Sequence, residues 1–207
     1  MVTLRTHQLV AVPDLPPLDI DVPAGAMVAL VAPPWLGTAV ARVVVGLAAP
    51  VAGRVLVGDR DVTDLPPLRR RTGYVPAGGA LLPHLTVARN ITYGQCRQQR
   101  VREVADDWAR ALIQRLELAP ALGLRPHLLS DAQRFRVALA RAMACLPEVL
   151  VVDLPAALDG IHLAELIDRL ALPKTPGLAV LLCSADDVVL AEAPRRFRGE
   201  VGGEVGP

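Results

Sequence analysis

The sequence predicts an α/β fold in which a mainly parallel sheet is covered by helices on both faces. Short apolar runs with the composition of buried strands alternate with longer segments of helical periodicity. The clearest run is 149–152, which is β-branched and apolar and follows a predicted helix that Pro147 ends. This alternation favours parallel strands that are joined by helices.

The predicted elements follow one another from residue 18 to residue 193. Strands are expected at 18–22, 27–32, 54–57, 73–76 and 178–183. Helices are expected at 38–47, 101–118, 130–146 and 186–193. We expect one domain over 1–196, with a helical subdomain at about 87–145, a small N-terminal antiparallel β region, and a frayed tail at 197–207.

Composition and charge exclude several classes of protein. Aromatic residues make up only 3% of the 207 residues, so the core must consist of valine, leucine and alanine. The net charge of +1 provides no general attraction to nucleic acid, and no nucleic-acid partner is expected. No secretory signal is evident at the start, and prolines and an arginine interrupt the apolar region 26–52, which therefore does not have the pattern of a membrane span.

Two further groups of residues receive structural interpretations. The run 69–71 of three arginines is expected to be a solvated turn. Cys96, Cys145 and Cys183 lie far apart, without the spacing of metal ligands, and are expected to be small buried residues in a reducing cytosol.

The most informative segment runs from residue 129 to residue 159. Ser130 and Gln133 have the spacing of a capping box, which predicts that a helix starts there. Asp153 follows the buried strand, at the edge of the sheet where open α/β proteins bind ligands. Either Asp153 belongs to a ligand site or it only caps a turn, and the position alone does not decide between the two.

The order of these features resembles the nucleotide-binding subunits of ATP-binding cassette (ABC) transporters. The segment LSDAQ at 129–133, the strand that ends in Asp153 and the turn at Asp159 are similar to the family's signature helix, Walker B strand and D-loop. Segments 64–74 and 83–87 resemble importers of small anions such as molybdate or sulfate. The resemblance covers about 18–196 and implies a P-loop NTPase (RecA-like) fold.

The resemblance also implies a site for ATP and Mg²⁺. The matching positions that would bind the cofactor are Gly37, Thr38, Ala39, Ser130, Gln133 and Asp153. Of these, Thr38 and Asp153 are the positions that would hold Mg²⁺.

The sequence departs from the family where the chemistry takes place. The phosphate-binding loop is replaced by VAPPWLGTA at 31–39, where prolines remove backbone donors and Trp35 adds bulk. The family's lysine, Q-loop glutamine, first signature glycine, catalytic glutamate and switch histidine correspond here to Gly37, Ala77, Asp131, Leu154 and Ala185. We therefore predict impaired catalysis and assign no catalytic residue.

Three functional hypotheses follow. The first is a transporter subunit, of an importer, with a degenerate nucleotide site and little or no ATP hydrolysis. The resemblance implies that it would pair with a like or unlike nucleotide-binding subunit and lie on the inner face of the cell membrane through a permease. The second is an active ATPase in which Arg42 replaces the lysine, although Arg42 is expected to point away from the loop. The third is a scaffold or regulator without a transport role.

Overall fold

The computed structural model describes residues 2–93, 102–170, 177–193 and 195–198, and these form two sheets with helices around them. A five-stranded parallel sheet has the order β6-β7-β8-β3-β9, and its strands are β3 Met27–Val31, β6 Thr72–Val75, β7 Val149–Asp153, β8 Ala179–Ser184 and β9 Arg195–Arg198. An antiparallel sheet has the order β2-β1-β4-β5, and its strands are β1 Val2–Val10, β2 Asp21–Pro23, β4 Ala52–Val57 and β5 Arg60–Asp61. The α/β class and the small antiparallel region are confirmed.

Six α-helices lie within the described residues: α1 Pro34–Val44, α2 Val87–Thr92, α3 Arg102–Arg115, α4 Asp131–Met143, α5 Leu163–Leu170 and α6 Asp187–Ala191. The sequence did not identify α2 and α5. No helix in this part of the chain has both the length and the apolar composition that a membrane span needs.

Helix α1 begins four residues before the predicted start at residue 38. Pro33 is the N-cap residue and Pro34 the first helical residue, a position that proline favours because the missing N–H has no intrahelical partner there. The prolines that were expected to form a loop therefore start the helix. This change decides the geometry of the candidate site.

Strand β1 was not predicted because one of its inward positions is polar. Thr6 is 2% exposed, and its hydroxyl donates to the carbonyl of Leu18 at 2.9 Å and accepts from the amide of Ile20 at 2.8 Å. These bonds satisfy a polar group that would otherwise be costly to bury. The strand therefore lacks the simple apolar alternation that sequence patterns detect.

The parallel sheet has a core on each face. Successive strand residues point to opposite sides, so Val149 and Val151 of β7 pack with α1, while Leu150 and Val152 pack with the other helices. The alternation continues past the strand, and Leu154 joins the same core as Leu150 and Val152. Asp153 is thereby left on the side of α1.

The expected solvated turn at 69–71 is wrong for its central residue. Arg70 is only 3% exposed, and its guanidinium donates hydrogen bonds to four backbone carbonyls. Two of these carbonyls, those of Val43 and Val44, are at the C-terminal end of α1. A positive charge there also interacts favourably with the negative end of the helix dipole. Burial lowers the pKa of Arg70.

Two other expectations need correction. Cys145 is exposed, whereas Cys183 is buried as predicted, and Cys96 lies outside the described residues.

The predicted frayed tail at 197–207 is wrong for 197 and 198, which belong to β9 and pair with β3 in parallel. Strand β9 is an arginine-rich edge strand, a type that limits unwanted pairing, and Phe197 packs against the core beside α1. Residues 199–207 lie outside the described residues.

Candidate functional site

The candidate site lies at the carboxyl end of β7, where two predicted site residues meet. The hydroxyl Oγ1 of Thr38 donates a hydrogen bond to Oδ2 of Asp153 at 2.7 Å. The two residues are 115 positions apart in the chain, and the alternation along β7 together with the early start of α1 brings them together. Asp153 is 2% exposed, so this bond shares in satisfying a buried carboxylate.

Two residues that were not predicted as site residues surround this carboxylate. The hydroxyl of Tyr74 lies 3.5 Å from Oδ2 of Asp153, at the limit of a hydrogen bond. Burial raises the pKa of Tyr74, and the charge of Asp153 adds to the effect. Burial likewise raises the pKa of the Cys183 thiol, with Asp153 again adding to it. Both groups are therefore neutral at pH 7, and the carboxylate lies among neutral partners.

The segment 32–37 carries few free backbone donors. A phosphate-binding loop works by directing successive peptide N–H groups at the phosphates. Here Pro33 and Pro34 have no N–H group. Three further amides already donate to backbone carbonyls: Ala32 to Ser184 at 3.1 Å, and Leu36 and Gly37 to Pro33 at 2.9 and 3.0 Å. Five of the six residues in this segment therefore offer no free backbone N–H group.

Gly37 has a structural explanation that needs no ligand. A Cβ atom on Gly37 would lie 3.2 Å from the Cβ of Cys183, which is tighter than ordinary packing. A glycine at this point lets α1 approach β8 closely. This contact does not depend on the phosphate chemistry that the resemblance implies.

The outer face of α1 lines an open pocket of about 280 Å³. Trp35, Thr38 and Arg42 contribute the aromatic and polar part of its lining, and Trp35 is 53% exposed. The rest of the lining is apolar and consists of Ala11, Ala39, Val43 and Ala48. Arg42 lies inside the helix as expected, but it lines the same pocket as Trp35 and Thr38, whereas it was expected to point away from the segment that contains Trp35. The four-residue spacing within the predicted helix 38–47 already placed Thr38 and Arg42 on one face, whereas the position of Trp35 beside them follows from the earlier start of α1.

Ser130 and Gln133 form the predicted capping box at the start of α4. The Ser130 hydroxyl accepts from the Gln133 amide at 3.2 Å, and the Gln133 side chain accepts from the Ser130 amide at 3.0 Å. The neighbouring Asp131 forms an ion pair with Arg134, one turn further along the same helix. The contacts of all these side chains are local to the helix start. They are separate from the pair formed by Thr38 and Asp153.

The other replaced positions differ in their surroundings. Ala77 and Ala185 are exposed, after β6 and β8 respectively. Leu154 is 6% exposed within an apolar core, and its amide donates to the carbonyl of Cys183 at 3.1 Å. Within the part of the chain that the structure describes, no group of three or more histidine, cysteine, aspartate or glutamate residues could hold a metal ion.

We expect the Thr38→Val variant to lower the free energy of unfolding by about 1.5–3 kcal/mol, because a buried carboxylate loses a hydrogen bond. Thr38→Ser keeps the hydroxyl and should lose less unfolding free energy than Thr38→Val. Urea denaturation of both variants measures the difference. Equal stability of the valine variant and the unmodified protein would show that the bond between Thr38 and Asp153 contributes nothing.

The parallel sheet with helices on both faces, and Asp153 at the carboxyl end of β7, define an α/β cassette, and comparison with known proteins assigns it to a family. The ABC transporter family model matches residues 15–157. The chain belongs to the ABC transporter family.

Similar proteins carry ATP-binding names. The chain is 35% identical over 176 residues to PhnT of Salmonella choleraesuis (strain SC-B67), whose name assigns it to 2-aminoethylphosphonate import; the match covers 83% of this chain and 48% of that protein. It is 38% identical over 166 residues to the Fe(3+) ions import ATP-binding protein FbpC of Yersinia pestis bv. Antiqua (strain Antiqua), covering 75% and 45%. The chain thus spans about half the length of the curated relatives it matches.

Solved structures support the same fold. A dimeric structure of the ATP-binding cassette MJ0796 has a TM-score of 0.76 at 22% identity, covering 97% of both chains. A nucleotide-free ATP-binding cassette from an ABC transporter has a TM-score of 0.74 at 18% identity, covering 98% of this chain and 90% of the other.

Proposed function

We propose that this chain is the cassette subunit of a membrane importer and that its own nucleotide site is degenerate. It would pack on a permease at the inner face of the cell membrane. It would also pair with a second nucleotide-binding subunit, either a copy of itself or a competent sister. The family match and the import names of its relatives support the first part of the proposal.

The geometry of residues 32–37 carries the proposal of a degenerate site. The first turn of α1 uses the amides of Leu36 and Gly37, so no cradle of N–H groups remains there. A lysine at this point would supply the positive charge on the β- and γ-phosphates, and the only lysine of the chain is Lys174. Thr38 and Asp153 could still hold Mg²⁺, but a lone hydroxyl and carboxylate form a small part of a triphosphate site.

The edge at 78–91 is the proposed contact with the permease. The side chain of Asn90, fully buried, bonds the backbone of Leu82, Leu85 and Thr86 at 2.8–3.2 Å. Arg141 on α4 donates to the carbonyls of the same edge, at residues 79 and 80, at 2.9 Å each. These bonds hold the edge in one conformation, which reduces the entropy cost of docking a partner.

We also propose the domain boundaries that the sequence suggested. The cassette would occupy 1–198, two residues more than the predicted 1–196, because β9 of its sheet ends at residue 198. The helical subdomain would occupy about 87–145, which includes α2, α3 and α4. Contacts between α2 and α4 and between α3 and α4 support a helical unit there.

One observation favours the second candidate, an active ATPase with an unorthodox loop. Arg42 lines the same pocket as Thr38, so a guanidinium is available near the start of α1. Arginine binds phosphate well and could take over part of the lysine's role. The hydrogen bonds that the Leu36 and Gly37 amides already make at the start of α1 argue against this candidate, because these amides are not free to bind phosphate.

Two measurements on the purified chain test the proposal. Calorimetry and phosphate release with Mg-ATP should give no saturable Mg²⁺-dependent binding and no turnover above a protein-free control. Co-expression with a candidate permease should give a complex that persists through size exclusion.

Turnover that Arg42→Ala abolishes, while Arg125→Ala leaves it intact, would establish the second candidate. Failure of the chain to form a complex with any importer permease of its source organism in the co-expression experiment would contradict the assignment as a transporter subunit. Arg125 is an exposed arginine outside the pocket and is therefore a matched control for the loss of charge.

A further inference from the structure

We propose that the pocket on the outer face of α1 binds a small aromatic anion, without Mg²⁺ and without the phosphate chemistry of the family. Trp35 would stack on the aromatic ring, and Arg42 would pair with the negative charge. This proposal goes beyond the proposed function, because it holds whether or not the chain docks on a permease.

The arrangement of α1 presents both groups to one pocket. Trp35 and Arg42 are seven residues apart, which is close to two helical turns, so they lie on the same face with Thr38 and Ala39 between them. Trp35 belongs to the first turn only because the helix starts at Pro34. Had the helix begun at residue 38, the indole would have belonged to a loop.

The guanidinium of Arg42 is available to a ligand. Arg42 is exposed and makes no ion pair or side-chain hydrogen bond with the residues that the structure describes. By contrast, the nearby buried arginine, Arg70, has all of its bonds directed to backbone carbonyls. An unpaired guanidinium at a pocket wall is suited to a carboxylate or a phosphate, which it can bind through two parallel hydrogen bonds.

The indole of Trp35 provides the other half of the recognition. It is the more exposed of the two tryptophans, since Trp108 is 1% exposed and donates its N–H to the carbonyl of Met143. Large exposed aromatic side chains beside a pocket bind planar rings by stacking. The pocket volume of about 280 Å³ lies just below the usual range for small-molecule sites, so the ligand should be small.

The site differs from an ATP site in what it should prefer. Additional phosphate groups on the ligand should add little binding affinity, because segment 32–37 has few free N–H groups to bind them. A monophosphate should therefore bind about as tightly as a triphosphate, and Mg²⁺ should not matter. This preference separates the proposal from weak residual ATP binding.

Fluorescence and calorimetry with AMP as the probe test the proposal on the full chain. AMP should quench the Trp35 emission saturably, with a Kd on the order of 100 μM. Adenosine, which lacks the charge, should bind about 10-fold or more weakly, and ATP with or without Mg²⁺ should bind about as tightly as AMP. Calorimetry is the second readout because it also applies to variants that lack Trp35.

The variants are designed around the two contacts. Arg42→Ala should lower the affinity for AMP about 10-fold and leave the affinity for adenosine unchanged. Arg125→Ala should change neither affinity. Trp35→Ala should lower the affinity for both AMP and adenosine about 10-fold, and Trp35→Phe should retain most of the affinity. Circular dichroism verifies that each variant is folded.

The outcomes are separable from those of the proposed function. Absence of saturable AMP binding up to about 5 mM overturns the pocket proposal and leaves the transporter assignment untouched. The same holds if AMP binding requires Mg²⁺ or if ATP binds far more tightly than AMP. ATP turnover, in contrast, would overturn the degenerate site and would not by itself decide the stacking role of Trp35.

Discussion

The Arg70→Ala variant should lose about 3–5 kcal/mol of unfolding free energy, the largest loss expected of any arginine in the described part of the chain. The guanidinium donates to the carbonyls of Val43, Val44 and Leu65 at 2.7–3.1 Å and also to that of Thr63. Removing it leaves several buried acceptors without partners, and each unsatisfied group costs about 1–3 kcal/mol. Urea denaturation followed by circular dichroism measures the loss.

The two neighbouring arginines are natural controls. Arg69 and Arg71 are exposed, and the bond of Arg71 is a surface ion pair with Glu148. Exposed pairs contribute about 0–1 kcal/mol, so Arg69→Ala and Arg71→Ala should change little. Arg70→Lys should remain strongly destabilised, because one ammonium cannot reach carbonyls on both α1 and the loop 63–65. A loss for Arg70→Ala no larger than for Arg71→Ala would refute the buried-cap interpretation.

The fold was largely predictable because its central strands are buried on both faces. Strands β3, β7 and β8 are continuous apolar runs, which sequence patterns detect without knowledge of neighbours. Strand β1 was not predictable in this way, because the polar Thr6 occupies an inward position. Its hydrogen-bond partners at residues 18 and 20 are evident only in the three-dimensional structure. Strand β9 was missed for a related reason, since a charged edge strand resembles an irregular tail.

The site was predictable only in part. Thr38 and Asp153 were selected from motif spacing, and the structure brings them within 2.7 Å. The interpretation of the run 69–71 as solvated was wrong for Arg70 alone, because a sequence does not reveal that carbonyls of α1 accept hydrogen bonds from one of three adjacent arginines. The pocket of Trp35 and Arg42 was also missed, since it depends on where α1 begins, and helix boundaries are the least certain element of sequence analysis.

Restoring the family's glutamate by Leu154→Glu should destabilise the protein by about 3 kcal/mol or more and should produce no ATP turnover. Leu154 is 6% exposed and packs in the core with Leu150 and Val152. The substitution removes about 1.5–3 kcal/mol of apolar burial and adds a carboxylate to an apolar environment. Urea denaturation and phosphate release measure the two effects.

The pH dependence of that loss distinguishes burial of a charge from poor packing. Desolvation raises the pKa of the introduced carboxyl above its unfolded value of about 4.3. The folded state then binds more protons than the unfolded state between the two pKa values, so stability falls as the pH rises through that interval. The deficit of Leu154→Glu relative to the unmodified protein should therefore be smaller near pH 4 than near pH 7.

Restoration at exposed positions is the matched comparison. Ala77→Gln and Ala185→His also reintroduce family residues, but both positions are exposed, so each should change stability by no more than about 0.5 kcal/mol. None of the three variants should hydrolyse ATP, because α1 still consumes the donors that would hold the phosphates. Turnover by Leu154→Glu alone would mean that the first turn of α1 opens in solution and frees its amides, and the proposal of a degenerate site would fail.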